Sequence, residues 1–241
     1  MQAKPRVRCS GVQPFTQIDF PGSIACIAFL PGCTFRCGYC HNPEFVLPER
    51  LKETEESWID EDAFFAFLDR RRGLLDGVVI SGGEPTVHAG LPDFIRKIRE
   101  RGFRIKLDTN GSRPDVLRAL FDERLLDYVA MDVKTSLERY QELVGPCVRP
   151  EAIRESIQMI MERSPEYEFR TTLVRELHGA QEIQGLLELV RGARRYALQA
   201  FRPAITLDPA FASYTAPDAI QMHVIGEQFR PYVQELLFRE E

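Results

Sequence analysis

Six times along this chain a short apolar run is followed by a stripe of apolar residues at helical spacing, and no other feature restricts the possible folds so strongly. The runs occupy 24–30, 77–81, 104–109, 128–133, 168–174 and 196–201. Continuously apolar runs of this length suit strands buried on both faces. Between them Phe64, Phe67 and Leu68, then Leu91, Phe94, Ile95 and Ile98, then Leu117, Leu120 and Phe121 fall on single helix faces. Ile153, Ile157, Ile160 and Met161, and later Ile183, Leu186, Leu187 and Val190, repeat the pattern. Such alternation predicts a parallel sheet with right-handed crossovers. Six units are too few to close an eight-stranded barrel, so the expected fold is α/β, an incomplete, open (β/α)6 barrel. The stretch before Gly22 carries only turn signals, and 49–60 is polar and reads as a surface connection. Beyond the sixth strand, 202–217 reads as a long ordered loop, followed by a helix over about 218–229 and a strand-like 233–238.

Composition narrows the function classes. A formal net charge of −5 argues against nucleic acid as a partner, because phosphate binding calls for a basic face. No apolar run approaches the roughly 20 residues of a membrane span, and no signal-peptide core follows Met1. Three of the six cysteines lie within eight residues, which is no secreted disulfide framework. A reducing cytoplasm is the expected compartment.

Those three are Cys33, Cys37 and Cys40, in the spacing C-x3-C-x2-C directly after the first strand. Three thiolates on one loop can hold three irons of a cubane [4Fe-4S] cluster and leave the fourth iron open for chemistry. Two plainer readings compete. A Cys3His zinc site could recruit His41, although adjacent Cys40 and His41 make awkward ligands for one tetrahedral ion. The thiols could also be structural. Cys9, Cys26 and Cys147 show no ligand spacing.

In α/β barrels functional residues gather at the C-terminal ends of the strands. Here the cysteine loop follows the first strand and Gly82-Gly83-Glu84-Pro85 the second; Asp108, Thr109 and Asn110 end the third, and Asp132 and Lys134 the fourth. Arg202 follows the sixth, while Arg170 lies within the fifth. The glycine pair would let backbone approach a small molecule closely, though it could equally be a plain strand-to-helix turn. Asp132 and Lys134, two apart, face one side of an extended strand, as a ligand site or as an internal ion pair. His88, His178 and His223 have no ligand or triad partner at useful spacing and are expected at the surface or at helix ends.

Taken in order, 33–43, 81–85, 107–111, 131–134 and Leu143-Val144-Gly145 resemble the radical S-adenosylmethionine (SAM) superfamily. Within it they resemble the glycyl-radical-enzyme activating enzymes, and among these the activators of anaerobic ribonucleoside-triphosphate reductase most. The resemblance spans about 15–203, and 1–241 is expected to form a single radical SAM domain with 204–241 as a C-terminal loop–helix–strand extension. It implies a partial barrel, one three-cysteine [4Fe-4S] cluster, SAM chelated to the open iron, and a 5′-deoxyadenosyl radical that takes hydrogen from a glycine of the partner. It also implies flavodoxin or ferredoxin as electron donor. By the same resemblance Tyr39 lies against adenine, and Gly82, Gly83 and Glu84 hold the SAM amino group through their backbone. Asp108, Thr109 and Asp132 match a monovalent-cation region, Lys134 and Arg170 match SAM contacts, and Arg202 stands where related activators have histidine. The alternatives are activation of a different glycyl radical enzyme, radical chemistry on a small molecule such as a nucleoside or cofactor precursor, or a non-enzymatic iron–sulfur or zinc sensor.

Overall fold

The computed structural model describes residues 5–204 and 206–239. Ten strands form: β1 (Arg8–Cys9), β2 (Gly11–Thr16), β3 (Ala25–Leu30), β4 (Ile59–Asp60), β5 (Gly77–Gly82), β6 (Arg104–Thr109), β7 (Tyr128–Asp132), β8 (Glu166–Leu173), β9 (Arg195–Ala200) and β10 (Glu235–Arg239). Eight α-helices accompany them: α1 (Pro48–Thr54), α2 (Glu61–Asp69), α3 (Leu91–Arg99), α4 (Pro114–Asp122), α5 (Tyr140–Val144), α6 (Pro150–Arg163), α7 (Ala180–Leu189) and α8 (Ala219–Phe229). β1 and β4 make a small antiparallel ribbon. The other eight strands form one sheet in the order β10-β9-β8-β7-β6-β5-β3-β2, parallel throughout except for β2. Among the described residues no ladder joins β10 to β2, so the sheet is an open α/β barrel.

All six expected strands are present, and 233–238 contains a seventh parallel strand, β10, paired with β9. Among the elements that escaped the periodicity argument, with the short β1, β4 and α5, are β2 and α1. β2 pairs antiparallel with β3, yet it is an edge strand with Pro14, three exposed residues and a register shift between Gln13 and Thr16, so it carries no alternation to detect. Helix α1 lies in the polar stretch 49–60 and buries no residue; a helix with no core face leaves no apolar stripe.

Period-two alternation sorts each strand between two faces. Toward the helices, Ala28, Leu30, Ile80, Leu107, Met131 and Phe169 join Phe64, Leu91, Phe94, Leu117 and Ile153 in the main core. The concave face has its own small apolar floor of Phe20, Ala25, Ile27, Val79, Tyr128 and Ala130. Two residues further along the same strands this inner face turns polar: Asp132 follows Ala130 and stands opposite Arg170 in register. The sheet therefore offers a dry floor with a charged rim above it. No helix of the described residues is long and apolar enough to cross a membrane.

Candidate active site at the rim of the open barrel

The loop after β3 is tied down along its length. Gly32 N donates to Phe45 O at 2.8 Å, Arg36 N to Val144 O at 2.8 Å and Cys40 N to Cys37 O at 3.0 Å. His88 Nε2 lies 2.7 Å from Pro31 O. From the C-terminal side Asp208 N donates to Gly38 O at 2.9 Å. A Cβ on Gly38 would come within 2.2 Å of the Phe211 ring, so that ring packs directly over the loop. Within the loop expected over 202–217, the described residues 206–217 are ordered against the site, and Asp208 and Phe211 hold the cysteine loop from one side.

Cys33, Cys37 and Cys40 line one cavity of about 290 Å³ at the strand C-termini. All three are free thiols, Cys37 buried and the other two half-buried. Burial pushes Cys37 up to about 12 and Cys33 up to about 11, and raises Cys40 as well. A metal bound here would displace their protons. His41 is engaged elsewhere: its ring stacks on Phe201 at 5.6 Å, and Nε2 accepts from Arg202 N at 3.4 Å. Among the described residues no three His, Cys, Asp or Glu side chains converge on a single-ion position. The donor set accordingly fits a cluster that spreads its cysteines, and it does not form the Cys3His zinc site weighed above.

Beside the thiols, the turn after β5 approaches the β3 exit backbone to backbone. Gly83 N donates to Leu30 O at 2.9 Å and Glu84 N to Gly32 O at 2.7 Å. A Cβ on Gly83 would stand 2.1 Å from Gly32 O, closer than any real side chain. The glycine is required by the chain's own packing, a reason that the expectation of ligand approach did not contain. Gly82 and Gly83 line the cavity. The Glu84 side chain does not: it is fully buried behind the turn. It accepts there from Thr86 N at 3.1 Å, Thr109 Oγ1 at 2.8 Å, Asn110 N at 2.6 Å and the Thr86 hydroxyl. Burial pushes its carboxyl up, although these four donors pull the other way. Its observed work is to clamp the β5 turn to the β6 turn.

Opposite the cysteines lies an array of charge. Arg170 Nε donates to Asp132 Oδ1 at 2.8 Å, Lys134 Nζ to Asp132 Oδ2 at 3.0 Å, and Arg170 Nη1 lies 3.6 Å from Asp108 Oδ2. Lys106 pairs with Asp108, and Ser81 Oγ donates to the same carboxylate at 3.0 Å. Burial works to raise the Asp132 carboxyl, but Arg170 and Lys134 outweigh it and hold it well below the usual range. In the cavity lining two cations, Lys134 and Arg170, thus stand with two carboxylates, Asp108 and Asp132, while Lys106 meets Asp108 from outside that lining; the two cations offer N–H donors to an anionic group entering the cavity. The residues expected to hold a monovalent cation all have protein partners: Asp108 and Asp132 in this array, Thr109 on Glu84.

Tyr39 is 3 % exposed and lines the cavity, and its hydroxyl is buried with no hydrogen-bond partner. A buried orphan of this kind calls for a partner the protein itself does not supply. Arg202, by contrast, is exposed and is not among the cavity-lining residues; its backbone serves to hold His41. Asn110, read from the sequence at the end of its strand, lines the cavity, as do Ser81 and two residues with no sequence signal, Thr172 and Gln199. His178 is buried, with Nε2 2.9 Å from Lys134 O. His88 and His178 sit at helix ends as expected, and each braces a loop of the site. The one signal available for them was proximity in sequence to β5 and β8.

The fold and the site define a radical SAM protein, and the sequence family described as the radical SAM superfamily matches residues 27–190. A protein of Methanocaldococcus jannaschii, named by inference a glycyl-radical enzyme activating enzyme, is 33% identical over 236 residues, 95% of each chain. The chain belongs to this superfamily, whose enzymes use a [4Fe-4S] cluster and SAM, and within it to the glycyl-radical enzyme activating enzymes. Two further relatives match about half of each length. Pyruvate formate-lyase 1-activating enzyme of Escherichia coli is 36% identical, over 53% of this chain and 52% of its own. 7-Carboxy-7-deazaguanine synthase of Methanopyrus kandleri is 32% identical, over 48% and 51%. The crystal structure of QueE from Escherichia coli superposes with a TM-score of 0.55 at 18% identity, over 98% of this chain and 95% of that one, a likeness of fold.

Proposed function

We propose that this chain activates a glycyl radical enzyme, with anaerobic ribonucleoside-triphosphate reductase as the partner and flavodoxin or ferredoxin as the electron donor. The observation that carries the reading is the meeting, in one cavity, of three clustered thiols with two cations, Lys134 and Arg170, that two carboxylates, Asp132 and Asp108, hold in place. In this reading Cys33, Cys37 and Cys40 hold three irons and leave the fourth for SAM. Lys134 and Arg170 receive the SAM carboxylate, oriented by Asp132 and Asp108 at the distances given above. Gly82 and Gly83 present backbone to the ammonium group, and Tyr39 brings its unpartnered hydroxyl to the adenosine side. When bound and reduced, the cluster supplies one electron that cleaves SAM, and the resulting 5′-deoxyadenosyl radical takes a hydrogen atom from a glycine of the partner. The protein's own contribution is orientation and exclusion of water: the segment 206–217 with Phe211, the dry floor and the locked turns serve both. The choice of ribonucleotide reductase rests on the overall resemblance of the chain from about 15 to 203, since pyruvate formate-lyase activators share most of the individual motifs.

The test is anaerobic reconstitution followed by EPR and product analysis, alone and with the co-expressed reductase. A [4Fe-4S]⁺ signal perturbed by SAM, 5′-deoxyadenosine formation, and a glycine radical on the reductase are the expected results. Cys37→Ala should abolish all three, and full activity in that variant would sink the mechanism. A second reading, radical chemistry on a small molecule, is favoured by the half-length similarity to 7-carboxy-7-deazaguanine synthase. SAM cleavage without a glycine radical on the reductase or on pyruvate formate-lyase would select it.

A further inference from the structure

Asn110 follows β6 and is 6 % exposed. Its amide is oriented by two contacts. Oδ1 accepts from Ser112 N at 2.9 Å, closing the tight turn that Gly111 completes. That bond fixes which end of the amide is oxygen, so Nδ2 must face the other way. There it lies 3.7 Å from Cys33 Sγ and 3.1 Å from the hydroxyl of Thr34. The backbone of Asn110 is held just as firmly, through the 2.6 Å bond from its N–H to buried Glu84. Cys33 Sγ accepts a second N–H, from Phe35 at 3.3 Å. A line of fixed contacts therefore runs from Glu84 through Asn110 to one sulfur of the cysteine loop.

We propose that Asn110 is a positioning residue that donates a hydrogen bond to the Cys33 sulfur and thereby raises the reduction potential of the cluster. The proposal rests on the reading of Cys33 as a cluster ligand. Hydrogen bonds to cluster sulfurs withdraw electron density from the metal–thiolate bonds and favour the reduced, more negative state. The Phe35 N–H does part of this and comes from backbone, where no substitution removes it. The Asn110 amide is the side-chain donor on that sulfur. A competing explanation is that Asn110 serves only to make the turn. Aspartate and alanine together separate the two: aspartate keeps the acceptor for Ser112 N and loses the donor to sulfur, and alanine loses the donor without adding charge.

The experiment is an EPR-monitored redox titration of the reconstituted full-length protein, comparing wild type with Asn110→Asp, Asn110→Ala and Thr34→Val. The expected result is a lower midpoint potential in both Asn110 variants, with Asn110→Asp shifted further because it also places a negative charge beside the sulfur. Thr34→Val removes the acceptor that shares the Asn110 amide with the sulfur, so its midpoint should stay at or above the wild-type value. Unchanged midpoints in the Asn110 variants, with the cluster present, would overturn the proposal while leaving the cluster assignment intact. If Asn110→Ala fails to load iron, Asn110→Ser takes its place, because it keeps a hydroxyl acceptor for the turn and adds no charge; its midpoint should also fall. A wild-type protein that forms no [4Fe-4S] cluster would remove the ligand reading and this proposal together.

Discussion

Arg170 Nε meets Asp132 Oδ1 at 2.8 Å across the β7–β8 ladder, and the two residues stand opposite each other in register. Their pairing places a salt bridge on the inner face of the sheet where the apolar floor ends. It also fixes the guanidinium with one edge toward the cavity.

Asp132→Asn should therefore lose more than a surface pair would. It leaves Lys134 without its carboxylate and Arg170 with Asp108 alone, and removing one partner of a largely buried pair costs about 3–5 kcal/mol. The urea midpoint at pH 7 should fall accordingly. The sign of the pH dependence follows from the depressed Asp132 carboxyl. Its stabilisation is present above the unfolded-state value near 4 and is lost as pH falls toward the lower folded-state value. The gap between wild type and variant should narrow below about pH 4.

Two glycines of the site should respond differently to alanine. At Gly83 the added methyl meets backbone oxygens, Gly32 O at 2.1 Å and Phe45 O at 2.8 Å, and neither can yield without moving β3's exit. At Gly38 it meets the Phe211 ring, which can swing away. Gly83→Ala should abolish SAM binding, measured by calorimetry on the reconstituted protein. Gly38→Ala should keep it, at a stability cost of about 1–3 kcal/mol from overpacking. Most of that cost should be recovered in Gly38→Ala combined with Phe211→Leu.

Cys9 and Cys26 are buried in the main core, and burial pushes both up to about 12. A raised folded-state value favours the protonated thiol. The stabilisation is complete below the unfolded-state value near 8.5 and is lost as pH rises from there toward 12. The metal-free protein should lose stability between pH 8.5 and 11 more steeply than the Cys9→Ala, Cys26→Ala double variant, as read from denaturant midpoints. At pH 8 the reduced thiolate fraction alone should slow the reaction of both thiols with iodoacetamide by on the order of 10³-fold relative to free cysteine.

Much of this molecule is legible in its sequence because the relevant signals are local. The helical stripes of α3 and α4 and the apolar runs of β5 and β7 need only their own residues to be read. The cysteine spacing is equally self-contained. What could not be read is set by long-range contact. β2 becomes a strand by pairing with β3, and α1 forms without a buried face. Glu84 belongs to a ligand-like motif, yet its side chain is turned inward because Thr86, Thr109 and Asn110 donate to it there. Arg202 ends a strand, as site residues do, but the chain leaves β9 outward and exposes it. Asn110 reads as a turn former, and only the fold brings its amide to Cys33, 77 residues away.

The packing of Phe211 over Gly38 has a consequence for how the protein is made. Phe211 is synthesised 173 residues after Gly38, which at ribosomal speeds of about 5–20 residues per second is a delay of roughly 10–35 s. Throughout that interval the cysteine loop is outside the ribosome without its cover. Metal delivery to a nascent or newly released chain thus meets an open loop, whereas repair of a finished molecule must first lift Phe211. The protein should acquire iron most readily while young, and aged metal-free chains should load more slowly than chains translated in the presence of iron and sulfide.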